Sequence, residues 1–245
     1  MDNTLLVSLS QQLASYRSMD VIANNLANAD TPAFKRESAT FQECVEKVQP
    51  AEGESGPQPI SFVKDAGTTR DLSQGHMTVT NAPFDFAING KGYFTIQTAN
   101  GPRYTRNGHF TMDAGGRLTT QDGDALQGDG GDITVAPEDG DIHVAADGTI
   151  SGIKGQIGKL KLVSFDSEDA LVKQGASLYS TDQPPKDVEK PVIQQGAVEA
   201  SNVQPVLEIS HMIQVMRAYQ ATANLTQSQE DLMRNAIDKL SGTQN

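Results

Sequence analysis

Both ends of this chain carry long amphipathic helical patterns, and neither has a neighbour in sequence to pack on. Residues 1 to about 30 contain no Gly and no Pro before Pro32, and their apolar positions fall at Leu6, Leu9, Leu13, Tyr16, Met19, Ala23 and Leu26. Steps of three and four residues define one stripe of an α-helix. Asp30-Thr31-Pro32 ends the pattern, because proline biases the residue before it away from helix and has no N–H to donate. From about 201 to 240 the alternation runs through Ile209, Met212, Met216, Tyr219, Ala223, Thr226, Glu230, Met233, Ile237 and Leu240. This is the heptad spacing of a coiled-coil seam. Such a helix is roughly 57 Å long at about 1.5 Å per residue. Asn202 is placed to cap it, with Pro205 in the first turn and Gly242 as its stop. An isolated amphipathic helix is marginal in water. The two helices must therefore pack on each other as a stalk, on the rest of the subunit, or on other copies, and periodicity leaves these open.

The middle has a different rhythm. Phe84-Asp85-Phe86-Ala87-Ile88 runs into Asn89-Gly90-Lys91-Gly92, Tyr93-Phe94-Thr95-Ile96 into Asn100-Gly101-Pro102, Tyr104-Thr105-Arg106 into Asn107-Gly108, and Phe110-Thr111-Met112 into Asp113-Ala114-Gly115-Gly116. Asn-Gly between alternating segments is a strong local hairpin signal, since both turn positions need positive φ. Ile133–Val135, Ile142–Val144 and Leu160–Phe165 are further strand candidates. The fold class is α+β: N- and C-terminal helices forming a coiled-coil-like helical domain around a central antiparallel β domain. The expected divisions are a helical segment at 1–35, an extended connector at 36–80 with its Pro-, Gly- and Glu-rich part at 49–59, the β domain at 81–185, a linker at 186–200 and a helical segment at 201–245. Because the hairpin signals are local, residues 65–185 are expected to fold alone.

Composition excludes several functions. The charge is 19 − 31 = −12, which disfavours binding to a phosphate backbone. Apolar runs of only a few residues make no spanning helix. The acidic start, with no Lys or Arg before Arg17, lacks the pattern of a Sec-type signal. Cys44 is the single cysteine, so no intrachain disulfide or Cys-rich metal site is expected. The sequence has no G-x-S-x-G, H-E-x-x-H or Walker A motif. His76, His109, His143 and His211 lack paired-ligand spacing, and Gly90-Lys91-Gly92 lacks the third glycine of a dinucleotide loop. The Asp-Gly pairs at 122, 129, 139 and 147 do not form an EF-hand loop and read as turns. No enzyme activity, cofactor or metal is expected.

Three stretches resemble one family. Asp20-Val21-Ile22-Ala23-Asn24-Asn25-Leu26-Ala27-Asn28-Ala29-Asp30-Thr31-Pro32-Ala33-Phe34-Lys35 resembles the N-terminal motif of flagellar rod and hook proteins. Glu199-Ala200-Ser201-Asn202-Val203, with Met212-Ile213 and Arg217-Ala218-Tyr219-Gln220, resembles their C-terminal motif. Phe84–Phe94 and Tyr104–Phe110 resemble their shared β domain. Hook proteins have a longer middle, so the chain looks like a rod protein. Met1–Leu5 and Gly67–Gly75 look most like the proximal rod member, with the distal rod member, or less closely a stalked surface adhesin, as alternatives. Leu6 and Ala33 depart from the family, which often has Tyr and Gly there, so the turn at Ala33 must tolerate a Cβ.

The resemblance implies a structural axial subunit of the bacterial flagellar basal body. It would cross the periplasm, leave the cell by the flagellar type III export apparatus without a cleaved signal, and assemble helically with itself and other rod proteins to transmit motor torque. No nucleic-acid partner or membrane insertion is implied. The assembly residues expected on the N-terminal helix are Leu6, Leu9, Leu13, Tyr16, Asn24, Asn25, Leu26 and Asn28. Those on the C-terminal helix are Ile209, Met212, Met216, Tyr219, Met233, Ile237 and Leu240. Asn24 and Asn28 lie four apart on one face; Asn24 is read as fixing register between helices, and Asn28 as a helix cap, with register as its alternative.

Overall fold

A computed structural model describes residues 3–48, 58–175 and 177–242. Most of the Pro-, Gly- and Glu-rich stretch at 49–59 lies outside the described residues. The chain forms two compact units: one from residues 3–27, 37–70 and 204–242, the other from 28–36 and 71–203.

The first unit contains helices α1 (Asn3–Ala27) and α2 (Pro205–Gly242) and strands β1 (Glu37–Val48) and β2 (Gln58–Arg70). The helices run antiparallel, with the Gln12 amide donating to Thr226 Oγ1 at 3.3 Å and the Asn25 amide to Glu208 Oε2 at 3.2 Å. Where an extended connector was expected, β1 and β2 pair into a long antiparallel ribbon from Glu37↔Arg70 to Val48↔Gln58. A two-stranded ribbon is marginal by itself, and this one rests on α1: Ser10 Oγ accepts from Val63 N–H at 3.4 Å and Arg17 pairs with Asp65 at 3.2 Å. The pairing partners lie on opposite sides of the 49–57 stretch, so no local turn signal announces them. α2 begins at Pro205, with the Gln204 carbonyl accepting from Leu207 and Glu208. Asn202, read as the cap, lies three residues upstream in the other unit and bonds elsewhere.

The second unit is an antiparallel β structure built on strand Tyr93–Thr98. One edge of that strand pairs with Gly101–Thr105. The other is shared between Leu162–Ser164 and Ala125–Gly128. Alternation sends Phe94 and Ile96 into the larger core, with Phe86, Phe110, Leu118, Leu126 and Ile150. Tyr93 points the other way, into a second cluster with Tyr104, Val163, Phe165 and Tyr179. Phe94 meets Phe110 edge-on, with centroids 5.4 Å apart, a favoured aromatic geometry.

Two of the four turn signals mark hairpins. Thr98↔Gly101 closes around Ala99-Asn100, and Met112↔Leu118 closes around Asp113–Arg117. Asn89-Gly90 and Asn107-Gly108 do not. Strand Phe86–Ile88 leaves its sequence neighbour and pairs with Ile193–Gln195. Gly108 brings its backbone so close to Phe86 that a Cβ would lie 1.6 Å from the Phe86 carbonyl oxygen.

The same pairing overturns the linker expected at 186–200. Ile193–Gln195 pairs with Phe86–Ile88, and Ala197–Glu199 with Met77–Val79, and Ile193, Ala197 and Val198 are buried. These edges need partners that only the later segment supplies. Residues 65–185 alone should therefore give no cooperative melt. A chain of residues 28–203 with 37–70 replaced by a short glycine turn should give one, because Asp71 N–H already bonds the Arg36 carbonyl at 2.8 Å; circular dichroism melts of the two compare them directly.

Candidate assembly surface and its anchor

On α1 the expected stripe is the exposed one. Leu6, Leu9, Leu13 (64% exposed), Tyr16 (60%) and Leu26 face outward. The covered positions are Ser8, Val21, Ile22 and Asn25, with Gln12, Ser15 and Ser18 half-buried. Asn24 is exposed and Asn28 half-buried, its side-chain oxygen accepting from the Thr31 hydroxyl at 3.1 Å. Asn28 does not take the left-handed conformation expected of a cap.

On α2 the covered face runs through Glu208, Met212, Val215, Tyr219, Thr222, Thr226 and Gln229. It shares Met212, Tyr219 and Thr226 with the expected stripe, but its alternate positions fall one residue earlier. One residue is about 100° of rotation at 3.6 residues per turn, which puts Ile209 and Met216 on the outer flank, while Met233 and Ile237 (63% exposed) lie beyond Gln229, where every described side chain of the helix is exposed. The side chain of Leu240 lies outside the described residues. The covered face and the periodic stripe therefore overlap in part, with polar Glu208 and Gln229 covered where the stripe has Ile209 and Glu230.

Asn25 serves its own unit. Its amide N donates to the Glu37 carbonyl at 2.7 Å, its oxygen accepts from Glu37 N–H at 2.9 Å, and it also reaches buried Glu208. A fully buried amide thus acts as a strand partner for the first residue of β1.

The second unit holds a charged cluster that pattern reading missed. Glu199, 1% exposed, lies between Lys35 Nζ at 2.6 Å and Arg106 Nε at 2.8 Å. Each of the three recognised motifs supplies one member. Gly75 N–H donates to the same carboxylate at 3.0 Å, and a Cβ on Gly75 would lie 1.9 Å from the Ala200 carbonyl oxygen. The Arg106 guanidinium also donates to the carbonyls of Gly92 at 3.0 Å and Gly90 at 2.9 Å. The Asn89–Gly92 loop is thus a cradle for a cation. Burial pulls the Lys35 ammonium below its ordinary value near 10.5, against the opposing pull of Glu199. Ala33, at φ 58 and almost fully buried, donates its N–H to the Glu199 carbonyl at 2.8 Å. The turn does carry a Cβ through left-handed backbone.

Charge arithmetic orders the mutants. Glu199→Gln strands two buried cations and should cost about 3–5 kcal/mol, whereas Lys35→Met leaves a neutral Arg106–Glu199 pair and should cost less. Denaturant melts of the second unit should keep that order. A smaller acid-sensitive contribution comes from Asp71, whose carboxyl the hydroxyl and N–H of Ser73 hold below its ordinary value of 3.8. A lowered folded value gives stability that is present above the unfolded value and lost as pH falls through the folded one. Asp71→Asn should accordingly flatten the acid limb of a stability–pH curve.

Comparison with known proteins covers the same segments. Residues 7–35 match the family described as flagella basal body rod protein, residues 87–152 the flagellar hook protein FlgE/F/G D1 domain, and residues 194–239 the flagellar basal body rod FlgEFG protein C-terminal region. The chain is 41% identical to a protein of Caulobacter vibrioides named flagellar basal-body rod protein FlgF, over 98% of each chain. It is 34% identical to the FlgF protein of Mesorhizobium japonicum, again over 98% of each. A FlgG rod protein of Buchnera aphidicola is 32% identical over 89% of this chain and 92% of its own. With all three motifs matched in order and relatives aligned end to end, the chain belongs to the flagellar basal-body rod protein family, on the side of its FlgF members.

Proposed function

We propose that this chain is a structural, non-enzymatic subunit of the proximal rod of the bacterial flagellar basal body. It assembles helically with copies of itself and other rod proteins through its terminal helices and transmits motor torque. It reaches the rod across the periplasm through the flagellar type III export apparatus, without cleavage of a signal. One observation supports this reading above the others: α1 and α2 leave most of their large aliphatic side chains outward, while side-chain hydrogen bonds from Gln12 to Thr226 and from Asn25 to Glu208 cross their mutual seam. Leu6, Leu9, Leu13 and Tyr16 on α1, and Ile209, Met216, Met233 and Ile237 on α2, are the surface assigned to other subunits. Exposed apolar patches of this kind mark interaction sites. A head-to-tail interface that does not close generates a filament rather than a ring.

Ile237→Asp tests the reading. The side chain is exposed in the isolated subunit, so the monomer melt should change by no more than about 0.5 kcal/mol. In the assembled rod the same carboxylate would enter an apolar interface unpaired, at a cost of several kcal/mol. Incorporation into basal bodies should therefore be lost. Normal incorporation, or a strongly destabilised monomer, would count against an intersubunit role for this face.

A further inference from the structure

Within the second unit, the segment that follows α1 and the segment that precedes α2 lie side by side. Ala33 N–H donates to the Glu199 carbonyl at 2.8 Å and Asn202 N–H to the Phe34 carbonyl at 3.3 Å. Partners advance together along both chains, so the two segments run in the same direction. Side chains reinforce them: Lys35 to Glu199 at 2.6 Å, and Arg36 N–H to Asn202 Oδ1 at 2.7 Å. The other end of the Asn202 amide donates to the carbonyls of Asp71 at 2.9 Å and Ser73 at 3.1 Å, and Asp71 N–H donates to the Arg36 carbonyl. The chain enters or leaves this unit after residues 27, 36, 70 and 203. Three of those four passages meet at one asparagine side chain.

We propose that this junction is a mechanical clamp, which passes tension from one terminal helix to the other without straining the β strands behind it. The inference rests on reading the chain as a load-bearing rod subunit. Pulled through α1 and α2, residues 33–36 are loaded from their N-terminal side and residues 199–203 from their C-terminal side. For neighbours running in the same direction, that is shear. The hydrogen bonds stretch together instead of parting one at a time. The Glu199 side chain cannot slide out without stranding Lys35 and Arg106 in a buried site, which raises the barrier further. Asn202 is a positioning residue here. It holds the two loaded segments in register against a third, and a cap at the start of α2 would have no reason to reach Asp71 and Ser73.

Force spectroscopy on the full chain tests the clamp, with Cys44→Ser and attachment points at Asp20→Cys and His211→Cys, both exposed positions. At constant force, Asn202→Ala should shorten the lifetime of the second unit by about tenfold or more, on the scale of one net hydrogen bond lost. Ile150→Val, buried in the larger core and outside the clamp, should lower the melting temperature yet leave that lifetime unchanged. If Asn202→Ala does not fold, Asn202→Asp serves instead, since it keeps the acceptor for Arg36 and loses the donors to Asp71 and Ser73. Equal lifetimes in the Asn202 variant and the parent, or equal shortening by Ile150→Val, would overturn the clamp. Incorporation of the parent chain into basal bodies is scored separately. Its failure counts against the rod reading, while the lifetimes decide the clamp.

Discussion

One carboxylate held between two cations organises the second unit. Glu199 is almost completely buried, and burying an ion is costly unless geometry and hydrogen bonding compensate. The compensation comes from distant parts of the chain: Lys35 from before the β1–β2 ribbon, Arg106 from the main sheet, and the Gly75 N–H from the stretch after the ribbon. With one anion and two cations the cluster carries a surplus positive charge. Backbone carbonyls take it up, that of Ser73 on Lys35 and those of Gly90 and Gly92 on Arg106. These requirements shape the surrounding loops. Gly75 must approach the Ala200 carbonyl too closely for any side chain, and the Asn89–Gly92 loop must point its carbonyls inward instead of closing a hairpin. The left-handed Ala33 fits the same account, because its conformation delivers an N–H to the Glu199 backbone. Left-handed backbone costs an alanine roughly 1–2 kcal/mol, which the buried bonds at 33–36 offset.

Much of the architecture was legible in the sequence where the signal was local. The two helices follow from stripes with steps of three and four, and the hairpins at Ala99-Asn100 and Asp113–Arg117 from turn residues between alternating strands. Where the structure departs from those expectations, the determining partner is far away in sequence. The β1–β2 ribbon joins segments on either side of the 49–57 stretch, and its residues, such as Glu37-Ser38-Ala39-Thr40, carry little alternation. Phe86–Ile88 and Asn89-Gly90 look like half of a hairpin until Ile193–Gln195 takes the pairing edge. Asn202 looks like a cap because it precedes a helix, yet its amide is committed to Arg36 and Asp71. The charged cluster was hidden for a similar reason. Lys35, Arg106 and Glu199 each sit in a recognised motif, but their mutual contact is visible only when the motifs are brought together.

On the helices the apolar stripe and the covered face coincide only in part. On α2 Met212, Tyr219 and Thr226 lie on both, but between them the stripe runs one position later than the covered residues. The seam takes in off-stripe Glu208, to which the Asn25 amide donates, and on-stripe Thr226, which accepts from Gln12. Polar seams of this kind hold through hydrogen bonds whose net contribution is small, about 1 kcal/mol each. Leu6, Leu9, Leu13, Ile209 and Ile237, which could contribute more by burial, roughly 1.5–3 kcal/mol each when fully covered, are left outside.

The two units therefore differ in how far they satisfy themselves. In the second, apolar side chains fill two cores and the buried charges find partners within the unit. In the first, the best packing surfaces of both helices remain uncovered, and the internal contacts select how α1, α2 and the ribbon meet more than they stabilise the meeting. The Asn25 amide illustrates this: it accepts from and donates to Glu37 while holding Glu208, so it specifies a register among three elements through hydrogen bonds alone. An arrangement that leaves its apolar faces outward has further stability to gain when those faces are buried against neighbours. On the proposed reading as a filament subunit, the neighbours that would bury these faces are other rod subunits, whereas the β unit already buries its own cores.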